Sequence, residues 1–398
     1  MSIYKRKSGR WAVLIDVDCS ADGKRQRRPL GTFPTRKEAE RAEREALSAR
    51  DRGIDLSPLR ITVGELMRRY LEDAEARVGA KTLERYRDLD RLHIEPTLGG
   101  MALARLRPAH LSEWLAMLLR EGRAKRSLAE DAAAPASEGR ARDPGLSAKT
   151  TRHAFALLKG ALSWAVRMQV VAVNAALAVD APKVARREAV AFTADEVALL
   201  LAAAAGTRWE ALIAFAAGTG ARRGEVAAVK WADVDVENRR VTIRRSLSQT
   251  RDGVFEKATK TDRVRVVPLS EIALGALRRQ KVAQAADKLA AFGAFDDQGF
   301  VFTPPLGGHL VPYAITHAFR EIARKAGVSC TNVHALRHSV GTALISSGVD
   351  PRTAAAILGH SSAMTTLSIY SHLVEAASSA AVGKIDEFMG RTKAPKVG

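Results

Sequence analysis

His334-Ala335-Leu336-Arg337-His338-Ser339, then Leu358-Gly359-His360, then Thr365-Thr366-Leu367-Ser368-Ile369-Tyr370-Ser371-His372: along one run of short helical segments the chain gathers imidazoles, a guanidinium and a phenol. On a helix, His334 and Arg337 stand three positions apart and share a face, so both can address a single group. The Arg337 guanidinium stays protonated and offers a planar fork that matches a pair of anionic oxygens. A phenol with a reference pKa of about 10 attacks well only if a base takes its proton or cations stabilise the phenolate. Tyr370 therefore needs company, and His334 is the natural base.

Such a set is suited to a phosphodiester, whose charge repels nucleophiles until cations hold its non-bridging oxygens. Each piece alone is commonplace, because a lone His on a helix or a Tyr between Ile and Ser is more often structural. A second element upstream changes the balance. Gly218-Thr219-Gly220-Ala221-Arg222-Arg223-Gly224-Glu225 lies between two apolar helical runs. Its glycines do not follow the dinucleotide spacing, since the last gap is one residue too long and a helix precedes them. The stretch reads instead as a tight helix-to-helix turn from which Arg222 projects, with Glu225 three residues on to hold it by a charge-assisted bond. A third element lies between these two. Val241-Thr242-Ile243 and Val264-Arg265-Val266-Val267 read as strands, with a polar hairpin around Glu256 to Asp262 and Thr259-Lys260-Thr261 at its tip. A lysine there can protonate a leaving oxygen, although Lys257 and Lys260 could equally be solvated turn charges.

Thr219-Gly220-x-Arg222-x-x-Glu225, Thr259-Lys260-Thr261 with Arg265-x-Val267-Pro268-Leu269, His334-x-Leu336-Arg337-His338, Leu358-Gly359-His360 and Tyr370-Ser371-His372 together resemble the catalytic boxes of the tyrosine recombinase, or phage integrase, family. The resemblance is tight over residues 190 to 375 and looser elsewhere. It implies strand exchange without metal, ATP or other cofactor: Tyr370 as nucleophile, a 3′-phosphotyrosyl intermediate, Arg222 and Arg337 as the phosphate clamp, Lys260 as general acid and His334 as base. It further implies a phosphate bond from His360 and a supporting role for Glu225. No G-x-x-x-x-G-K-[ST] loop appears, which agrees with near-neutral exchange of one phosphoester for another. A type IB topoisomerase, or a DNA-binding regulator without catalysis, are the alternatives.

The rest of the chain fits a DNA partner. Its 398 residues suggest two or three domains, and a formal charge of +19 with 46% hydrophobic residues suggests packed cores and a polyanionic ligand. Cys19 and Cys330 are too few and too far apart for a disulfide framework or zinc cage. No run is apolar enough for a membrane span or an export signal, so a cytoplasmic location is expected. Overall the expectation is a multidomain, mainly α fold with small β-sheets. Residues 1–55 read as a three-stranded sheet plus helix, with Trp11, Val13, Ile15 and Val17 alternating in one strand and Asp22-Gly23 turning it. Thr35-Arg36-Lys37-Glu38 is a capping box. The sheet resembles an arm-site DNA-binding domain, with Arg25, Arg27 and Arg28 as candidate contacts.

Residues 60–182 read as a helical domain, with Leu66, Tyr70, Leu83, Tyr86, Leu89 and Leu92 at helical spacing and a polar insertion at 121–146. It resembles the family's SAM-like core-binding domain, with Lys81, Arg85, Lys149, Thr151 and Arg152 as candidate phosphate contacts. Residues 188–390 would be an α+β catalytic domain, opened by the capping box Thr193-Ala194-Asp195-Glu196. The resemblance also implies double-stranded DNA with core and arm-type sites, a tetramer on that DNA, accessory DNA-bending or excision factors, and no membrane partner.

Overall fold

The computed structural model describes residues 2–6, 9–17, 26–51, 61–122, 145–185, 190–258, 264–359 and 364. The chain divides into two compact units, residues 1–185 and 186–398. At its N-terminus, β1 (Ser2–Lys5), β2 (Trp11–Val17) and β3 (Gln26–Phe33) form an antiparallel sheet with β2 in the centre. Val13 is buried as alternation requires, but Ala12 is buried too. Val13 pairs with Gly31 while Leu14 pairs with Pro29, so one residue of β3 bulges out. Pro29 is tolerated because β3 is an edge strand. α1 (Arg36–Asp51) opens on Thr35, whose hydroxyl accepts from the Glu38 amide at 3.3 Å. The Arg36 guanidinium lies 5.6 Å from the Trp11 ring centroid and helps seat this helix on the sheet.

The helical layer of the first unit contains α2 (Val63–Glu75), α3 (Ala80–Leu89), α4 (Glu95–Leu98), α5 (Pro108–Glu121) and α6 (Ala148–Arg167). Its core is built from Leu66, Met67, Ile94, Leu111, Phe155 and Leu158, each at most 2% exposed. Side chains of this size contribute roughly 1.5–3 kcal/mol each on burial. Between α3 and α4 the chain makes a π-helical turn, Asp90–Ile94. The extra residue rotates the face: His93 and Ile94 are buried, whereas Leu92, expected inward by simple helical spacing, is only half-buried.

In the second unit, α7 (Ala194–Ala204) begins on the expected box, with Thr193 and Glu196 exchanging side-chain and backbone bonds. α8 (Glu210–Thr219) is buried from Ala211 to Ala216 without interruption, as an all-round apolar helix must be. α9 (Arg223–Ala228) follows. The strands divide into two sheets rather than one hairpin. β4 (Val234–Asp235), β5 (Arg240–Ile243) and β8 (Arg265–Pro268) form one antiparallel sheet, and β6 (Arg245–Thr250) with β7 (Gly253–Ala258) forms a separate ribbon. The ribbon turns at Arg251-Asp252-Gly253, so Glu256 and Lys257, read from sequence as hairpin turn, lie within β7. Asp252-Gly253 is the stronger turn signal, because Gly253 takes a φ of 141°. Residues 259–263, and with them Lys260, lie outside the described residues.

α10 (Glu271–Ala290), α11 (Pro312–Lys325), α12 (His334–Ser346) and α13 (Pro351–Leu358) follow. Asp350 caps α13 by accepting from the Arg352 and Thr353 amides. Among the described residues no helix is long and apolar enough to cross a membrane.

Candidate active site

The site is organised by the turn between α8 and α9. Thr219 is 2% exposed and its hydroxyl donates to the Phe215 carbonyl at 2.7 Å, so the helix closes on itself. Gly220 then takes the left-handed conformation, φ 62°. A Cβ there would stand 2.9 Å from Leu358 Cδ2 and 3.2 Å from Val340 Cβ, so glycine is what lets α12 and α13 approach. Arg222 caps α9: its amide donates to Glu225 Oε2 at 2.8 Å and its Nη1 to Glu225 Oε1 at 2.8 Å. The spacing of three thus works as sequence suggested, through a capping box whose N-cap is the arginine itself.

Arg337 reaches the same turn from α12. It is 3% exposed, and its Nη1 donates to the Gly220 carbonyl at 2.9 Å. Two guanidinia from distant segments are therefore fixed on one short loop. His334 begins α12, its ring centroid 5.0 Å from that of His338 and edge-on to it at 86°. Desolvation of the ring, the neighbouring His338, and the Arg337 and Arg222 charges press His334 down to about 4, with Glu225 opposing. At neutral pH His334 is thus an uncharged imidazole able to accept a proton.

Glu225 is 2% exposed and is held from a second side. Arg265, at the start of β8, donates from Nη2 to Oε2 at 2.6 Å and from Nη1 to Oε1 at 3.1 Å. Burial alone would raise the Glu225 carboxyl, but Arg265 and Arg222 outweigh it and hold it at about 2. Arg265 also donates from Nε to the Ile357 carbonyl at 3.1 Å, and Arg222 from Nη2 to the Gly359 carbonyl at 2.8 Å. Gly359 ends α13 with φ 68°. Arg222, Glu225, His334 and Arg337 are accordingly brought together, while Lys260, His360 and Tyr370 lie outside the described residues.

The sequence places Arg265 in a strand and among the boxes that carry the resemblance, without assigning it a role. Its signal was available: strict alternation puts it on the face of Val267, which is 1% exposed, and an inward arginine requires a carboxylate.

The candidate DNA contacts divide. Arg85 Nη2 lies 2.9 Å from His153 Nδ1, joining α3 to α6. The His153 pKa is lowered by desolvation and by the charges of Arg85, Lys149 and Arg152, so these three cations share one exposed patch. Lys81 is paired with Glu84, which offsets its charge. Thr151 is a correction: it is 0% exposed and cannot present its hydroxyl to a phosphate. It falls in register with Ala154, Phe155 and Leu158 on the buried face of α6. Arg27 and Arg28 lie in β3, opposite Asp16 and Ile15, and Arg25 lies outside the described residues.

Residues 191–376 match the phage integrase family, residues 62–119 the phage integrase N-terminal SAM-like domain, and residues 2–49 an arm DNA-binding domain. The chain is 25% identical over 386 residues to a tyrosine recombinase XerC-like protein of Caldanaerobacter subterraneus subsp. tengcongensis, covering 92% of each. It is 30% identical over 234 residues to the tyrosine recombinase XerC of Xylella fastidiosa (strain 9a5c), covering 58% of this chain and 71% of that protein. A lambda integrase tetramer bound to a Holliday junction has a similar fold, with a TM-score of 0.54 at 19% identity over 92% of this chain and 94% of that one. With three successive domain matches and relatives along nearly its whole length, the chain belongs to the tyrosine recombinase, or phage integrase, family, whose members are site-specific DNA recombinases.

Proposed function

We propose that the protein integrates or excises a mobile element by breaking and rejoining double-stranded DNA through a 3′-phosphotyrosine bond. The Tyr370 oxygen attacks the scissile phosphorus, its proton passes to the neutral His334 imidazole, and the bond from phosphorus to the 5′-oxygen breaks. Lys260 supplies the proton that this oxygen takes up. The 5′-hydroxyl of a partner strand reverses the sequence, so no energy source is consumed. Arg222 and Arg337 hold the non-bridging oxygens where charge grows in the transition state, His360 adds a bond, and Glu225 fixes Arg222.

The observation that carries this reading is the docking of Arg222 and Arg337 on one glycine turn, beside an imidazole held uncharged. An anion clamp and a base in one place suit attack on a phosphodiester better than passive binding. The same reading assigns core-site contacts to Arg85, Lys149 and Arg152, arm-site contacts to the N-terminal sheet, and strand exchange to a tetramer of the kind seen for lambda integrase on a junction. It locates the enzyme in the cytoplasm, with DNA-bending or excision proteins as accessory partners.

The test is covalent capture. The full chain is incubated with nicked duplexes carrying a randomised central segment, and complexes that survive detergent are sequenced. Wild type should yield a recurring site, and Tyr370→Phe should yield none while still shifting that site in a native gel. Capture by Tyr370→Phe would refute the assignment. Relaxation of plasmids lacking a paired site, without exchange, would favour the topoisomerase alternative.

A further inference from the structure

We propose that Arg265 is a positioning residue for strand cleavage: one guanidinium that locks Arg222, through Glu225, to the turn preceding His360 and to the strand that follows Lys260. The inference rests on the recombinase reading above and adds a residue to it.

The partners of Arg265 leave it no direct role: all three of its nitrogens are engaged, two with Glu225 and one with the Ile357 carbonyl. Arg222, by contrast, is 32% exposed. Arg222 gives one side-chain nitrogen to Glu225 and one to the Gly359 carbonyl, which leaves N–H donors of its five for a ligand. Arg222 therefore touches the phosphate and Arg265 sets where Arg222 stands.

Three elements meet on Arg265. β8 begins with it, directly after the segment that contains Lys260. Glu225 belongs to α9, whose cap is Arg222. Ile357 and Gly359 end α13, one residue before His360. A Cβ on Gly359 would lie 2.7 Å from Arg265 Nη1 and 2.8 Å from its Cζ and Nε, so the glycine backbone packs directly on the guanidinium plane. Glu225 by itself cannot do this work. With only Arg222 as partner, a buried carboxylate would draw that guanidinium inward, away from the phosphate.

Lysine at 265 keeps the charge but offers neither the fork to Glu225 nor the third bond to Ile357. The test compares wild type, Arg265→Lys and Arg222→Lys on a nicked duplex of the captured site. Each duplex carries either the natural phosphodiester or a methylphosphonate at the scissile position, which has lost one non-bridging charge. The rate of covalent complex formation is measured, with thermal unfolding of each variant alongside.

Displacement of a positioned group by about 1 Å can cost on the order of a hundredfold in rate. Arg265→Lys should therefore slow cleavage of the phosphodiester by about ten- to a hundredfold, and the wild-type to variant ratio should shrink on the methylphosphonate, as it should also for Arg222→Lys. A loss equal on both substrates, or no loss on the phosphodiester, would overturn the proposal even in a variant that melts early, because a smaller folded fraction lowers the rate on both substrates alike and cancels when the two are compared. If wild type forms no covalent complex with either duplex, the recombinase reading fails instead.

Discussion

Gly359→Ala should cost far more stability than glycine conformation alone explains, and the excess should vanish when Arg265 is removed. Gly359 has φ 68°, and Gly348, at the end of α12, has φ 79°. Both would strain an alanine, by roughly 1–2 kcal/mol in the left-handed region. Their surroundings differ. A Cβ at Gly348 meets nothing within 4 Å, whereas one at Gly359 falls 2.7–2.8 Å from three atoms of the Arg265 guanidinium. That group is pinned by Glu225 and Ile357, so it must break at least one charge-assisted bond to a buried carboxylate to move away. Such a bond is worth about 1.5–3 kcal/mol. The expectation is about 1–2 kcal/mol for Gly348→Ala and about 2.5–5 kcal/mol for Gly359→Ala. Because the chain has two compact units, the assay should resolve elements. Native-state hydrogen exchange at the amides of α8 and β8 gives their opening free energies directly. In an Arg265→Ala background, Gly359→Ala should fall to the cost of Gly348→Ala. Equal costs in the parent protein, or an undiminished cost in that background, would refute the packing argument.

Lys260→Ala should slow cleavage of a natural duplex but not of one whose 5′-leaving oxygen is replaced by sulfur, since a thiolate departs without a proton; equal slowing on both would reassign the acid to Lys257 or another group. Acidification should weaken the second unit through His334. Its folded value of about 4 lies below the ordinary 6.5, so the stability it contributes is complete above pH 6.5 and is lost as pH falls toward 4. Denaturant midpoints measured between pH 7 and 4.5 should fall less steeply in His334→Gln than in wild type, and parallel curves would contradict the shift.

The turn between α8 and α9 was legible because its logic is local. Arg222 and Glu225 are three residues apart, and a capping box closes within that distance whatever the rest of the chain does. The helix boundary at Thr193 was legible for the same reason. Arg265 was not, since its partner lies in another element, 40 residues away, and nothing in the strand names it. Alternation could say that Arg265 points inward, but not toward which carboxylate. Thr151 shows the opposite failure. It was grouped with basic neighbours by composition, when the positions of Ala154, Phe155 and Leu158 already placed it on the buried face of α6. At Leu92 the periodic signal itself misled, because a π-helical turn adds a residue that no propensity announces.

A buried carboxylate in a site proposed to hold an anion looks like a contradiction, since it subtracts positive charge where positive charge is needed. Its effect on geometry resolves this. Arg222, Arg265 and Arg337 bring three cations and Glu225 removes one, leaving two positive charges on a rigid frame. In the proposed reaction a phosphodiester arrives with one negative charge and gains more as the attacking oxygen joins, so the frame would be matched to the transition state better than to the bound ground state. Without Glu225 the guanidinia would repel one another and would have to be reoriented at each turnover, which is the reorganisation that a preformed site avoids. The same field acts on His334. Burial of the ring, together with His338 and these charges, holds the imidazole uncharged, and in the proposed reaction a bound phosphate would cancel part of the field and raise the proton affinity of the ring. The proposed base therefore strengthens when the phosphate is in place, which ties the activation of Tyr370 to the presence of the bond it is to attack.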